Sequence, residues 1–285
     1  MKRFLITAIL LAWATLARAA DSVQVGIELN ESTYVPGEAI EAKIVIVNFS
    51  GSPILTGEKP GWLALDIRSE SEAQFVQKQP LDVTQPFTVP QSKQASFPLN
   101  LGDYYAFHQT GQFTVVPVVR WGNRPSDIQA GAPVRFAVSQ PATIQEQPFG
   151  VKVGSSGEER TRVYTIQRMN AQAYVRVSDR DAGVILGLVK LGKIASFARR
   201  VDARLNRLNY LHVLHQSGAR DFRHHVISPE GRLVARESYL SDSGRPPFLT
   251  HDEANMIHIG GGRPNPQPDD IPLLHAPAPR SASRD

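Results

Sequence analysis

Ile40, Ala42, Ile44 and Ile46 fall on one face of a run that ends near Phe49, with Glu41 and Lys43 on the other. A period of two carried by β-branched residues buries one face as a β-strand and no face as a helix. The same alternation opens the first half at Val23–Leu29 and returns at 62–68, 86–89, 95–101, 112–120 and 134–138. Turn residues separate these runs: Tyr34-Val-Pro-Gly-Glu38, Ser50-Gly-Ser-Pro53, Gly57-Glu-Lys-Pro-Gly61 and Gly122-Asn-Arg-Pro-Ser126. Proline presets φ and glycine tolerates positive φ, so each cluster ends a strand. About seven short antiparallel strands without an intervening helix pattern predict an all-β fold, with a β-sandwich over residues 20–140.

Particular residues add a family likeness. Tyr34-x-Pro-Gly-Glu38, the Ile/Val strand ending Val47-Asn48, and Gly102…Thr110-Gly111-Gln-Phe113-Thr-Val115 resemble bacterial extracytoplasmic immunoglobulin-like domains, in the style of fibronectin-like and macroglobulin-like domains. The resemblance covers about residues 21–140. It implies an immunoglobulin-like sandwich and a role in adhesion, scaffolding or inhibition, and it carries over no active site. Phe113 stands where many such domains have Tyr, so no hydroxyl-anchored corner is expected there.

The first nineteen residues read as an address. Lys2 and Arg3 precede a 13-residue apolar stretch, Phe4–Leu16, and Ala17-Arg18-Ala19 supplies the small-x-small cleavage pattern of a secretory signal peptide. The stretch is too short for a membrane span, and no transmembrane segment is expected after cleavage. The chain has no Cys, which excludes disulfides, thiol nucleophiles and Cys-based metal sites, and suits a bacterial periplasm or secretion from it. Cleavage after Ala19 leaves 28 basic against 27 acidic residues, so the basic balance of the whole chain is no argument for nucleic acid. What survives is an asymmetry: residues 21–140 carry 8 basic and 12 acidic side chains, residues 141–285 carry 20 and 15. A basic half faces an acidic partner more readily than a basic one.

The second half reads as a linker over 141–157, a β-rich domain over 158–262 and a disordered Pro-rich tail over 263–285. Ile194, Phe197, Ala198, Val201, Leu205 and Leu208 recur at helical spacing. That predicts a basic amphipathic helix over about 193–208, with short strands as its rival. Its Arg199, Arg200, Arg204 and Arg207 form the candidate contact surface. Asn209-Tyr-Leu-His212-Val and Asn255-Met-Ile-His258-Ile repeat 46 residues apart, near the blade length of a propeller, although the region is too short to close one.

Six of eight histidines lie between 212 and 258. Neutral imidazoles bind transition metals, and His212, His224 and His258 are the candidate ligands. Asp179-Arg-Asp181-Ala-Gly183 spaces two carboxylates like the start of a calcium loop, without the later ligands of one. No Gly-x-Ser-x-Gly elbow, Ser-x-x-Lys or His-Glu-x-x-His occurs, and neither glycine cluster matches a phosphate loop. No cofactor and no catalytic residue is therefore expected. The sequence is best read as a non-enzymatic envelope protein that binds an extracytoplasmic protein or polymer. Its rivals are a metal-dependent hydrolase or ligand-binding enzyme using the His-rich half, and a self-associating structural component.

Overall fold

The computed structural model describes residues 23–155, 157–195, 201–242 and 244–273. The chain is all-β, and it divides after Gln140 into two compact units. The signal-peptide reading of residues 1–19 lies outside the described residues. Among the described residues no helix is long and apolar enough to cross a membrane.

The first unit contains β1 (Val23–Leu29), β2 (Thr33–Tyr34), β3 (Glu41–Asn48), β4 (Ile54–Thr56), β5 (Leu63–Ser69) and β6 (Val76–Gln77). Then come β7 (Phe87–Val89), β8 (Gln94–Asn100), the four-residue helix α1 (Leu101–Tyr104), β9 (Tyr105–Ala106), β10 (Gly111–Arg120), β11 (Ile128–Ala130) and β12 (Val134–Val138). Two sheets carry the core, as in a β-sandwich: β1-β3-β8, and β11-β10-β12-β2 with β5 on the other side of β10. The Ile44 register lies opposite Ile27 and Phe97, so the isoleucine face of β3 turns inward as its period requires. Phe107, Phe113 and Phe136 meet across this core at ring-centroid distances of 5.2 to 5.4 Å.

Phe113 does lack a hydroxyl, yet this unit has a hydroxyl-anchored tyrosine elsewhere. The buried Tyr34 donates to Asn30 Oδ1 at 2.7 Å and accepts the Glu31 N–H at 3.0 Å, pinning the chain before β2. Asn48 does comparable work at the far end of β3. Its buried amide donates to the Ser52 and Val89 carbonyls and accepts from the Ser50 N–H and hydroxyl.

The second unit contains β13 (Ala142–Val153), β14 (Glu158–Met169), β15 (Gln172–Asp179), β16 (Val184–Lys193), β17 (Asp202–Leu205) and β18 (Leu211–Gln216). It continues with β19 (Asp221–Ile227), β20 (Leu233–Leu240), β21 (Phe248–His251), β22 (Ile257–Gly260) and β23 (Arg263–Pro264). They form a four-stranded meander β13-β14-β15-β16, a five-stranded sheet β17-β18-β19-β20-β23, and a hairpin β21-β22. The two larger sheets share one core, in which Phe149, Tyr164, Ile166, Val175 and Val177 meet Leu211, Val213 and Ile227.

Three expectations are corrected here. Residues 142–153 are not a linker but the first strand of this unit, laddered along β14 from Ala142 to Val153. Its alternation of polar and small residues hides the strand, because the inward positions include Gln145 and Gln147. The basic helix is not seen among the described residues of 193–208. Ile194 and Ala195 are extended, with N–H groups bonded to the Ala171 and Gln216 carbonyls, and 202–205 pairs with β18. The helical spacing at 201–208 falls on a strand and the turn after it, where side-chain period does not set the backbone; residues 196–200 lie outside the described residues. The tail is also ordered as far as Leu273, where it runs along β20.

The repeat is a turn, not a propeller blade. In both copies an Asn with positive φ, Asn209 (62°) and Asn255 (56°), closes a four-residue hairpin turn. The backbone bonds match: Asn209 N–H to Asn206 O and Asn206 N–H to Tyr210 O, then Asn255 N–H to Asp252 O and Asp252 N–H to Met256 O. The Asn206 and Asp252 side chains each accept the N–H four residues on.

One close approach locks the two larger sheets together. Gly187 on β16 and Gly231 in the β19–β20 turn abut so tightly that a Cβ on Gly231 would sit 2.7 Å from the Gly187 Cα. Gly231 also holds φ at +79°. Gly231→Ala is expected to destabilise the second unit by at least about 2 kcal/mol, from strain and clash together. A denaturant midpoint within error of wild type would refute this.

Candidate functional site

The five-stranded sheet gathers the chemistry-bearing residues of the second unit. Strand register decides their grouping. Leu214 lies opposite His224, and His224 opposite Glu237, so His212, His224 and Glu237 share one face. Val213 lies opposite His225, and His215 opposite Arg223, so His215, His225, Arg223 and Arg236 share the other. Neighbouring histidines in sequence thus separate, and distant ones pair.

On the first face the pairs form a directed chain of hydrogen bonds. Asn206 Oδ1 accepts the Leu208 and Tyr210 N–H groups, which leaves its Nδ2 to face His212 Nε2 at 3.4 Å. An amide nitrogen only donates, so His212 Nε2 accepts and its proton sits on Nδ1. That Nδ1–H points at His224 Nε2, 3.1 Å away, and the His224 Nδ1–H in turn meets Glu237 Oε2 at 3.2 Å. The Tyr239 hydroxyl donates to the same carboxylate oxygen at 3.1 Å, and the Leu273 N–H reaches Oε1. The His224 hydrogen bond holds the Glu237 carboxyl below its ordinary range, against the effect of burial. Burial, reinforced by the charges of His224, His258 and His251 and opposed by Glu237, pushes His212 down to about 3. The His212 end of the array is a neutral imidazole, and its far end is the Glu237 carboxylate.

On the second face His215 and His225 stack at 5.3 Å between ring centroids, 1% and 0% exposed. None of their four ring nitrogens has a hydrogen-bond partner. Burial pushes His215 down to about 4, opposed by the Lys193 backbone and reinforced by Arg223. Burial first, then His215, His224, Arg236 and Arg223, holds His225 well below its ordinary value. Arg223 and Arg236 extend from this face to the docked tail. Arg223 Nη1 lies 3.1 Å from both Asp269 oxygens and 3.5 Å from Asp270 Oδ1, and Arg236 binds the Asp269 carbonyl.

The other candidates disperse. His258 is half-exposed and pairs with Asp252 at 2.8 Å, the same i, i+6 contact that Asn206 makes with His212 in the first copy of the repeat. Among the described residues no three His, Asp or Glu side chains are arranged to hold a metal ion. Asp179 Oδ1 accepts the Asp181 and Ala182 N–H groups, and Asp181 accepts the Thr161 N–H, so both carboxylates shape a turn. Arg204 pairs with Asp202 at 3.2 Å, and Arg207 sits in the 206–209 turn. Arg199 and Arg200 lie outside the described residues. Sequence reasoning missed Asn206, Glu237 and Tyr239, and missed Arg223 and Arg236. The Asn206/Asp252 match six residues before each repeated His was a legible signal for the first of these.

Comparison with protein-family models gives no match, and no curated protein matches the chain. Among solved structures, the sporulation control protein Spo0M from Bacillus subtilis aligns with 57% of this chain and 82% of its own. The identity is 10% and the TM-score 0.31, a likeness too low to bear on fold or function.

Proposed function

We propose that the chain is an exported, non-enzymatic binding or scaffolding protein of the bacterial cell envelope. In this reading an immunoglobulin-like N-terminal unit accompanies a second unit that takes a partner by strand addition. The observation that carries it is the edge of β16. Among the described residues this strand ends its sheet unpaired, and Val184, Ile185 and Leu186 are all exposed, Val184 at 52%. A register shift there, from Gly187 opposite Val177 to Ile185 opposite Ser178, leaves Leu186 as an extra residue that cannot turn inward with its neighbours.

A long apolar edge invites another strand unless something covers it. The occupant that fits is an extended segment of an extracytoplasmic protein, with apolar residues against 184–186. Lys190 and Lys193 further along β16, and the net basic charge of residues 141–285, favour acidic residues beside them. The signal-like residues 2–19 support export.

The test is a photo-crosslinker at Ile185 in the exporting cell. One heterologous product, lost in Val184→Lys/Leu186→Lys and retained in the control Ile144→Lys, is the expected result. A product that is only this chain crosslinked to itself favours the self-associating component, and no product with folded protein overturns the proposal.

A further inference from the structure

The second unit already practises strand addition on a different edge. Without β23, β20 would end the five-stranded sheet. Arg263 and Pro264 pair with Leu240 and Tyr239, and the Asn265 N–H donates to the Ser238 carbonyl. After a turn closed by Asp270 N–H to Gln267 O, Ile271 exchanges both backbone bonds with Arg236 at 2.7 and 2.8 Å. Asp270 accepts the Ser238 N–H and hydroxyl, and the Leu273 N–H meets Glu237. A single segment, 263–273, therefore covers the edge from Leu240 to Arg236.

What holds it is charge and hydrogen bonding rather than burial. Ile271 is 40% exposed, four prolines lie at 264, 266, 268 and 272, and Asp269 and Asp270 supply the ion pairs with Arg223 and Arg236. Ion pairs at this exposure are weak and screened by salt. Segments with little apolar contact open at low free-energy cost. Gly261 and Gly262, at φ +67° and +62°, join the segment to β22 and supply the freedom to swing.

We propose that the β20 edge, flanked by Arg223 and Arg236, is a binding site for an extended acidic segment of a partner protein, and that residues 263–273 occupy it as a displaceable internal ligand. Backbone ladder bonds supply affinity, and the arginine pair selects adjacent carboxylates such as Asp269-Asp270. The partner competes with the tail, so occupancy by one excludes the other. This site is separate from the β16 edge and stands whether or not that edge is used.

The probe is a fluorescein-labelled synthetic peptide of residues 263–273, titrated at low salt into the full chain. Asp269→Asn/Asp270→Asn in the protein should loosen the tail, seen as faster amide exchange over 263–273 with the rest of the unit protected. It should bind the peptide at least ten-fold tighter than wild type does. Adding Arg223→Gln/Arg236→Gln should abolish that gain, as should a peptide with both aspartates changed to asparagine, while Val184→Lys/Leu186→Lys should leave it intact. A loosened tail without any gain in peptide binding overturns the proposal, and so does a tail whose protection is unchanged when both aspartates are neutralised.

Discussion

At pH 5 the second unit should lose its amide protection while the first remains folded. Three histidines of the five-stranded sheet are held far below an ordinary imidazole: burial holds His212 near 3, His215 near 4, and His225 well below its ordinary value. In the unfolded chain each takes a proton as pH falls through about 6.5; in the folded unit each stays neutral. The unfolded state then binds more protons, so stability declines from about pH 6.5 downward and levels only near the folded values. His212 and His215 each cost about 1.4 kcal/mol per pH unit, roughly 2 kcal/mol at pH 5 and about 4 kcal/mol together, and His225 acts in the same direction. That approaches the whole stability of a typical domain.

The first unit has a single histidine, His108. Its perturbed carboxylates act in a lower window. A Thr114 hydrogen bond holds Glu70 down, and Arg124 backbone and side-chain bonds hold Asp127 down. Such groups lose their stabilisation only below about pH 4. The readouts separate cleanly, because Trp62 and Trp121 both lie in the first unit and the second has no Trp. Tryptophan emission should stay constant from pH 7.5 to 5 while exchange over 211–227 accelerates by orders of magnitude. Unchanged protection there at pH 4.5 would sink the prediction.

The fold was legible wherever alternation was complete. The isoleucine face of β3 and the runs at β10 and β12 bury one face each, and a period of two states this outright. Legibility failed where inward positions are polar. Gln145 and Gln147 made β13 resemble a linker, and the prolines of 263–273 concealed a segment held by ion pairs rather than apolar contact. At the site, strand geometry correctly separates His212 from His215 and His224 from His225. It cannot say which pairs meet, because that depends on the register of β18 against β19, set by turns and packing across the whole sheet. The arginine pair was invisible for the same reason: Arg223 and Arg236 lie on different strands, and their partners are 33 to 47 residues further on.

Register also makes the two histidine pairs respond to substitution in opposite directions. His215 and His225 bury four ring nitrogens that meet no partner, and an unmade hydrogen bond in a buried site costs about 1–3 kcal/mol. His215→Leu/His225→Leu removes those groups at similar volume. At pH 7.5 it should raise stability by about 2 kcal/mol or more, and it should flatten the acid slope, leaving His212 as the remaining shifted histidine. His224→Leu should act the other way. It strands the buried His212 Nδ1–H and takes one of two donors from Glu237 Oε2, leaving only Tyr239 there, and should cost about 1–3 kcal/mol. Denaturant midpoints of the two variants at pH 7.5 decide the matter. Shifts of the same sign would mean that the hydrogen-bond chain on one face and the unpaired rings on the other are not what distinguishes them.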